Sequence, residues 1–158
     1  MRGLGALVVI GALAAVPGRA DEFCDILMSV TKDAHTGFKH MRGEPSYVGK
    51  HISYRAMSLP EMRSSRGFGE CSIYPNPEKP IFYRYACDFP SNARDYRPVS
   101  DHVKACLKAS GEVYRKQSPH AFERIRWSLD QADIAIGFDI ASDSWAVYYY
   151  FFVDQKAT

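Results

Sequence analysis

Long hydrophobic runs are nearly absent from this chain of 158 residues: one extends from Leu4 to Val16, and no other follows it. Its thirteen residues fall short of the about 20 that a helix needs to cross a bilayer, so no membrane span is expected. Charge of one sign is also lacking. Lys and Arg number 20 against 18 Asp and Glu, and Arg2 and Arg19 precede Asp21, so residues 21–158 balance at 18 of each. Without a cationic surplus or a dense Lys/Arg cluster there is no electrostatic footprint for phosphate backbones, and nucleic-acid binding is not expected.

Signatures of catalysis and metal binding are missing as well. The chain has no HExxH, no CxxC and no GxSxG, so Ser110, Ser118 and Ser144 sit in no nucleophile elbow. His35, His40, His51, His102 and His120 are scattered; His35 and His40, five residues apart on a helix, turn to different sides. Asp133, Asp139 and Asp143 lack the closing Glu of a calcium loop and read as turn residues. The segment Gly67-Phe68-Gly69 stands before a strand, the wrong context for a phosphate cradle. Nothing fixes the separation of the carboxylates Glu70, Asp88 and Glu123, so glycan hydrolysis has no support. The expectation is a protein with no cofactor, no metal and no catalytic residue.

What is present begins with the N-terminus. Arg2, the apolar run, Pro17 and the small-x-small triplet Gly18-Arg19-Ala20 read as a secretory signal peptide cut after Ala20. Residues 1–20 are then the leader, and 21–158 a single α+β domain, exported to the periplasm or secreted. Asp21, Glu22 and Phe23 precede Cys24, so lipid attachment at the cut is not expected. The four cysteines, Cys24, Cys71, Cys87 and Cys106, all follow the leader, and in an exported chain they are expected to form two disulfides. Strand alternation places Cys71 and Cys87 on one sheet face, where they can bond to each other or to helix cysteines above them; the three pairings stay open. All 21 aromatic residues also follow the leader and supply a core.

The apolar residues from Cys24 to Met41 recur three or four apart, which predicts a first helix ended by Gly43 and Pro45. His51–Ser58, Phe68–Tyr74 and Ile81–Phe89 read as strands, the last two forming a hairpin around the Pro75–Pro80 cluster. On the second arm Ile81, Tyr83, Tyr85, Cys87 and Phe89 are expected inside. Ser100 is the expected N-cap of a second helix running to about Gln117. Arg124–Asp130, Asp133–Ile140 and Trp145–Val153 complete a meander. The order α-β-β-β-α-β-β-β, with no Gly-rich crossover, predicts a two-layer sandwich: a mostly antiparallel sheet with two helices on one face.

The run Trp145–Val153 is apolar or aromatic on both faces. A sheet covered on one side normally leaves the other polar, so Tyr148, Tyr150 and Phe152 either pack against neighbours such as Trp127 and long Arg side chains or form a binding face. Tyr148, Tyr150, Phe152 and Trp127 are the candidate partner-binding residues.

Cys24 opening the first helix, Gly37-Phe38 before Met41-Arg42-Gly43, Cys71-Ser72-Ile73-Tyr74, Tyr85-Ala86-Cys87-Asp88-Phe89 and Val103-Lys104-Ala105-Cys106-Leu107 together resemble small uncharacterised exported proteins of proteobacteria. That resemblance implies export and no catalytic residues. The element order is similar to the type III secretion chaperone-like α/β fold, a protein-binding scaffold, on topology alone. The expected function is an exported non-enzymatic binding module that contacts a protein partner, or a second copy of itself, through the aromatic sheet face. The alternatives are a small-ligand carrier with a cavity between helices and sheet, and a hydrolase of envelope polymers.

Overall fold

The computed structural model of the protein describes residues 18–48, 51–60, 70–79, 81–89, 94–116, 122–140 and 147–156. The run Leu4–Val16, the segment Gly67-Phe68-Gly69, and Ser118, His120, Asp143, Ser144 and Trp145 lie outside these residues.

Helix α1 spans Gly18–Asp33. Phe23, Ile26, Leu27 and Val30 line one side of it and are buried, each worth about 1.5–3 kcal/mol relative to exposure. It stops short of the expected Met41. Short 3-10 turns at Ala34–Thr36 and Lys39–Met41 follow, separated by Gly37 at φ +71° and Phe38 at φ +61°. Glycine adopts that left-handed conformation freely, whereas Phe38 is held there by a fully buried side chain and an N–H bond to the Asp33 carbonyl at 3.0 Å. The apolar period continues because Phe38 and Met41 still meet the core, from turns rather than from helix.

Four strands follow, β1 (Pro45–Val48), β2 (His51–Ala56), β3 (Cys71–Pro75) and β4 (Tyr83–Asp88); then helix α2 (Arg97–Leu107); then β5 (Glu112–Lys116), β6 (Phe122–Ser128), β7 (Ala132–Ile140) and β8 (Val147–Gln155). All eight form one antiparallel sheet in the order β1-β2-β3-β4-β8-β7-β6-β5. The topology is thus helix plus four-strand meander, twice, with the last strands of the two halves joined at the centre. Val99 and Val103 of α2 join the α1 residues in one buried cluster with Ile73, Tyr85, Ile134, Ile136, Phe151 and Val153. Those strand residues share one sheet face by alternation. The expected α+β class, with an antiparallel sheet and both helices on one face, is the class observed.

Each half holds one strand more than expected. Pro45, read as a helix stop, opens β1 at the sheet edge, where a missing N–H costs no ladder bond. Glu112–Lys116, read as the end of the second helix, is β5, because Lys108 turns left-handed at φ +52° and ends α2 at Leu107. Val113 and Tyr114 then suit the strand that pairs with β6. Ser100 is not the N-cap: it is buried inside α2, whose cap is Tyr96, with a proline in the first turn. Ile81 is not inside either. It is 82% exposed, in the turn before β4, where Asn76 Oδ1 accepts the Glu78 N–H at 2.9 Å.

The cysteine pairing is Cys24–Cys106, which ties α1 to α2, and Cys71–Cys87, which ties directly opposed residues of β3 and β4 at a Cα separation of 4.0 Å. No cysteine is free. Two such bonds are compatible with an oxidising compartment. No helix among the described residues is long and apolar enough to cross a membrane.

Candidate functional site

The sheet face away from the helices carries the alternate set of side chains. Register aligns Ala86, Phe152, Ala135 and Arg126 across β4, β8, β7 and β6, and beside that row Asp88, Tyr150, Gly137 and Arg124. Small residues therefore flank the two aromatic rings, while long arginines stand at either side. The result is a groove of about 310 Å³ over Phe152 and Ala135, walled by Arg84, Arg124 and Arg126 and rimmed by the Asn76–Lys79 turn.

The rings and guanidinium groups are layered. Tyr150 and Phe152 stack with centroids 5.6 Å apart and planes 17° apart. Arg84 lies over Phe152 at 3.9 Å, and Arg124 lies 5.5 Å from the centroids of both Phe152 and Tyr150. Arg124 Nε donates to the Tyr150 hydroxyl at 3.0 Å. Burial pushes the Tyr150 phenol above its ordinary value, and the bond from Arg124 and its charge offset only part of that.

Three other cations of the groove, Arg84, Arg126 and Lys156, are paired. Arg84 Nε and Nη2 donate to the two oxygens of Asp154 at 2.6 and 2.9 Å. Burial opposes the charge on Arg84, but Asp154 outweighs it and raises the guanidinium pKa. Asp133 accepts from Arg126 and from Ser128 Oγ, with Lys156 Nζ 3.5 Å away. Burial would raise the Asp133 carboxyl, yet these partners hold it below the usual range. Among the described residues Arg124 makes no ion pair.

The structure separates the four candidate partner-binding residues. Tyr148 lies on the open face and is 58% exposed; Tyr150 and Phe152 share that face, half-buried under the arginines. Trp127 does not join them. It points to the helix side, is 4% exposed, and donates its Nε1–H to the Ala109 carbonyl at 3.0 Å. Its position alternates with Arg124 and Arg126, so strand parity excludes it from the open face. The arginines, not Trp127, cover the outer aromatics. Arg84, Arg124 and Arg126 are the residues that sequence reasoning missed, although the same alternation within β6 places Phe122, Arg124 and Arg126 together.

The remaining polar candidates do not converge. Glu123 accepts from the Tyr96 hydroxyl and Arg115, whose partnership holds its carboxyl low against burial. Glu70 lies 3.8 Å from Arg55. Asp88 on β4 and Glu123 on β6 are three strand spacings apart, about 14 Å, and alternate to opposite faces. His40 Nδ1 lies 2.7 Å from Asp33 Oδ1, and the His40 N–H and Thr36 hydroxyl also bond that carboxylate. This ties the turn after α1, with no serine, threonine or cysteine bonded to the imidazole among the described residues. Among the described residues no three His, Cys, Asp or Glu side chains are grouped to hold a metal ion. In comparisons with known proteins, no family model, no curated protein and no solved structure matches this chain.

Proposed function

We propose that the protein is an exported, non-enzymatic binding module whose open sheet face contacts a protein partner. One observation carries this reading: the sheet face with no described helix over it carries stacked Tyr150 and Phe152 under Arg84 and Arg124, with Tyr148 exposed beside them. Aromatic residues and arginine are enriched at protein interfaces, and tyrosine and arginine each join a large apolar area to a directional polar group. A solvated antiparallel face is usually polar throughout, and Tyr148, Tyr150 and Phe152 interrupt the charged residues of this one. The leader at residues 1–20 and the two disulfides support export to the periplasm or beyond. A cut after Ala20 leaves Phe23 and every later core residue of α1 in place.

A small-ligand carrier is the second reading, favoured by the groove of about 310 Å³, which is at the lower end of small-molecule sites. On that reading the ligand sits on the open face, not between the layers. The test is the variant pair Tyr148→Ser and Tyr150→Ser in oxidised protein of residues 21–158. Loss of partner capture or of self-association, with the melting temperature within a few degrees, supports the module. Unchanged capture and an unchanged oligomer profile contradict it.

A further inference from the structure

We propose that the groove on the open face receives the carboxylate of an acidic peptide segment, a Glu or Asp of the protein partner, on the guanidinium of Arg124. This rests on the open face being the contact surface, and it specifies the chemistry of what docks there. Five cationic side chains and three carboxylates line the groove, but they are not equivalent. Arg84 is matched to Asp154, and Arg126 and Lys156 to Asp133. Lys79 and Arg124 have no acidic counterpart among the described residues; Lys79 is exposed on the rim turn, whereas Arg124 is half-buried, and its Nε bond to Tyr150 leaves the two terminal nitrogens without a partner among the described residues.

Position adds to charge. Arg124 is held by Tyr150 at one nitrogen and by the rings of Phe122, Tyr150 and Phe152 along its plane. A guanidinium fixed in this way loses little freedom on binding, and its planar fork matches a carboxylate with two parallel hydrogen bonds. The apolar rings around it fit the flanking side chains of a peptide. A nucleic acid is the less suitable polyanion, because Asp133, Asp154 and Glu78 stand in the same groove and repel successive phosphates. One carboxylate satisfies the site; a chain of anions does not.

The test uses oxidised protein and a panel of short acetylated, amidated peptides with varied flanks, each made with a central Glu and with Gln, plus a single-stranded oligothymidylate. Affinities are read by fluorescence anisotropy. The Glu members bind about tenfold tighter than their Gln counterparts. Arg124→Gln erases that preference, Arg124→Lys keeps part of it, and Tyr148→Ser weakens both members while preserving it. Equal affinity for Glu and Gln, a preference that survives Arg124→Gln, tighter binding of the oligothymidylate, or no peptide bound overturns the proposal. Binding that Tyr148→Ser weakens without any Glu preference leaves the open face as the contact surface and removes only the acidic partner. Binding that neither Tyr148→Ser nor Arg124→Gln alters removes both.

Discussion

Asp133 and Asp154 stand directly opposite one another across β7 and β8, two carboxylates in register, each held by its own arginine from a neighbouring strand. Like charges in that position destabilise a sheet. Arg84 from β4 and Arg126 from β6 flank the two carboxylates and offset the repulsion across the seam between the two halves.

Removing one arginine therefore exposes more than a lost ion pair. The Arg84 and Asp154 side chains are 11% and 18% exposed, so Arg84→Met leaves a mostly buried carboxylate facing Asp133 and costs about 3 kcal/mol. The double variant Arg84→Met, Asp154→Leu removes the stranded charge and recovers to within about 1 kcal/mol of the parent. Urea unfolding of both variants checks this; a double variant no more stable than Arg84→Met contradicts it.

The two disulfides differ in what they restrain. Cys24–Cys106 closes 82 residues of sequence and Cys71–Cys87 closes 16. Chain entropy then assigns about 4.5 kcal/mol to the first and about 3 kcal/mol to the second. Replacing Cys24 and Cys106 with Ser lowers unfolding stability more than replacing Cys71 and Cys87, and urea midpoints with the corresponding slopes show the order.

Stability declines at both ends of the pH scale. Asp33, Glu123 and Asp133 have carboxyls held below their ordinary values. What they contribute is complete above the unfolded carboxylate pKa of about 4 and is lost as pH falls through the lowered folded values. Burial raises Tyr74 and Tyr150, so their contribution is complete below the unfolded phenol pKa of about 10 and is lost as pH rises through the raised ones. Thermal melts from acid to alkaline pH give a plateau between these limits. Tyr150→Phe weakens the alkaline decline, and an unaltered alkaline limb in that variant contradicts the assignment.

Gly137 lies where β6 and β7 leave no room for a side chain. A Cβ placed there meets the Glu123 carbonyl oxygen, and the obstacle is backbone that cannot rotate away. Gly137→Ala separates β6 from β7 and costs about 3 kcal/mol, within the range of strongly destabilising changes. A melting temperature unchanged from the parent contradicts that packing.

Much of this architecture is legible in the chain. The spacing of Phe23, Ile26, Leu27 and Val30 marks α1, and the proline cluster between Tyr74 and Ile81 marks the β3–β4 hairpin, because helix faces and turns are local properties. The short edge strands are not legible: β1 and β5 each pair on one side only, and their patterns are too brief to outweigh Pro45 or the apolar period of α2. Alternation along β8 places Tyr148, Tyr150 and Phe152 together. That Arg84 and Arg124 cover them depends on β4, β8, β7 and β6 lying side by side, a long-range pairing that no local signal records. Trp127 is different: its parity against Arg124 and Arg126 is a local property of β6 that puts it under the helices, and its aromatic character alone does not place it on the open face.

Site-specific photo-crosslinking shows whether the open sheet face meets a protein. A photoreactive side chain at position 148 on the open face is compared with one at position 28, where Met28 is 49% exposed on α1, both in oxidised protein within the envelope. A contact surface on the open face gives a discrete protein adduct from position 148 and none from position 28. Adducts from position 28 alone, or from neither position, contradict it.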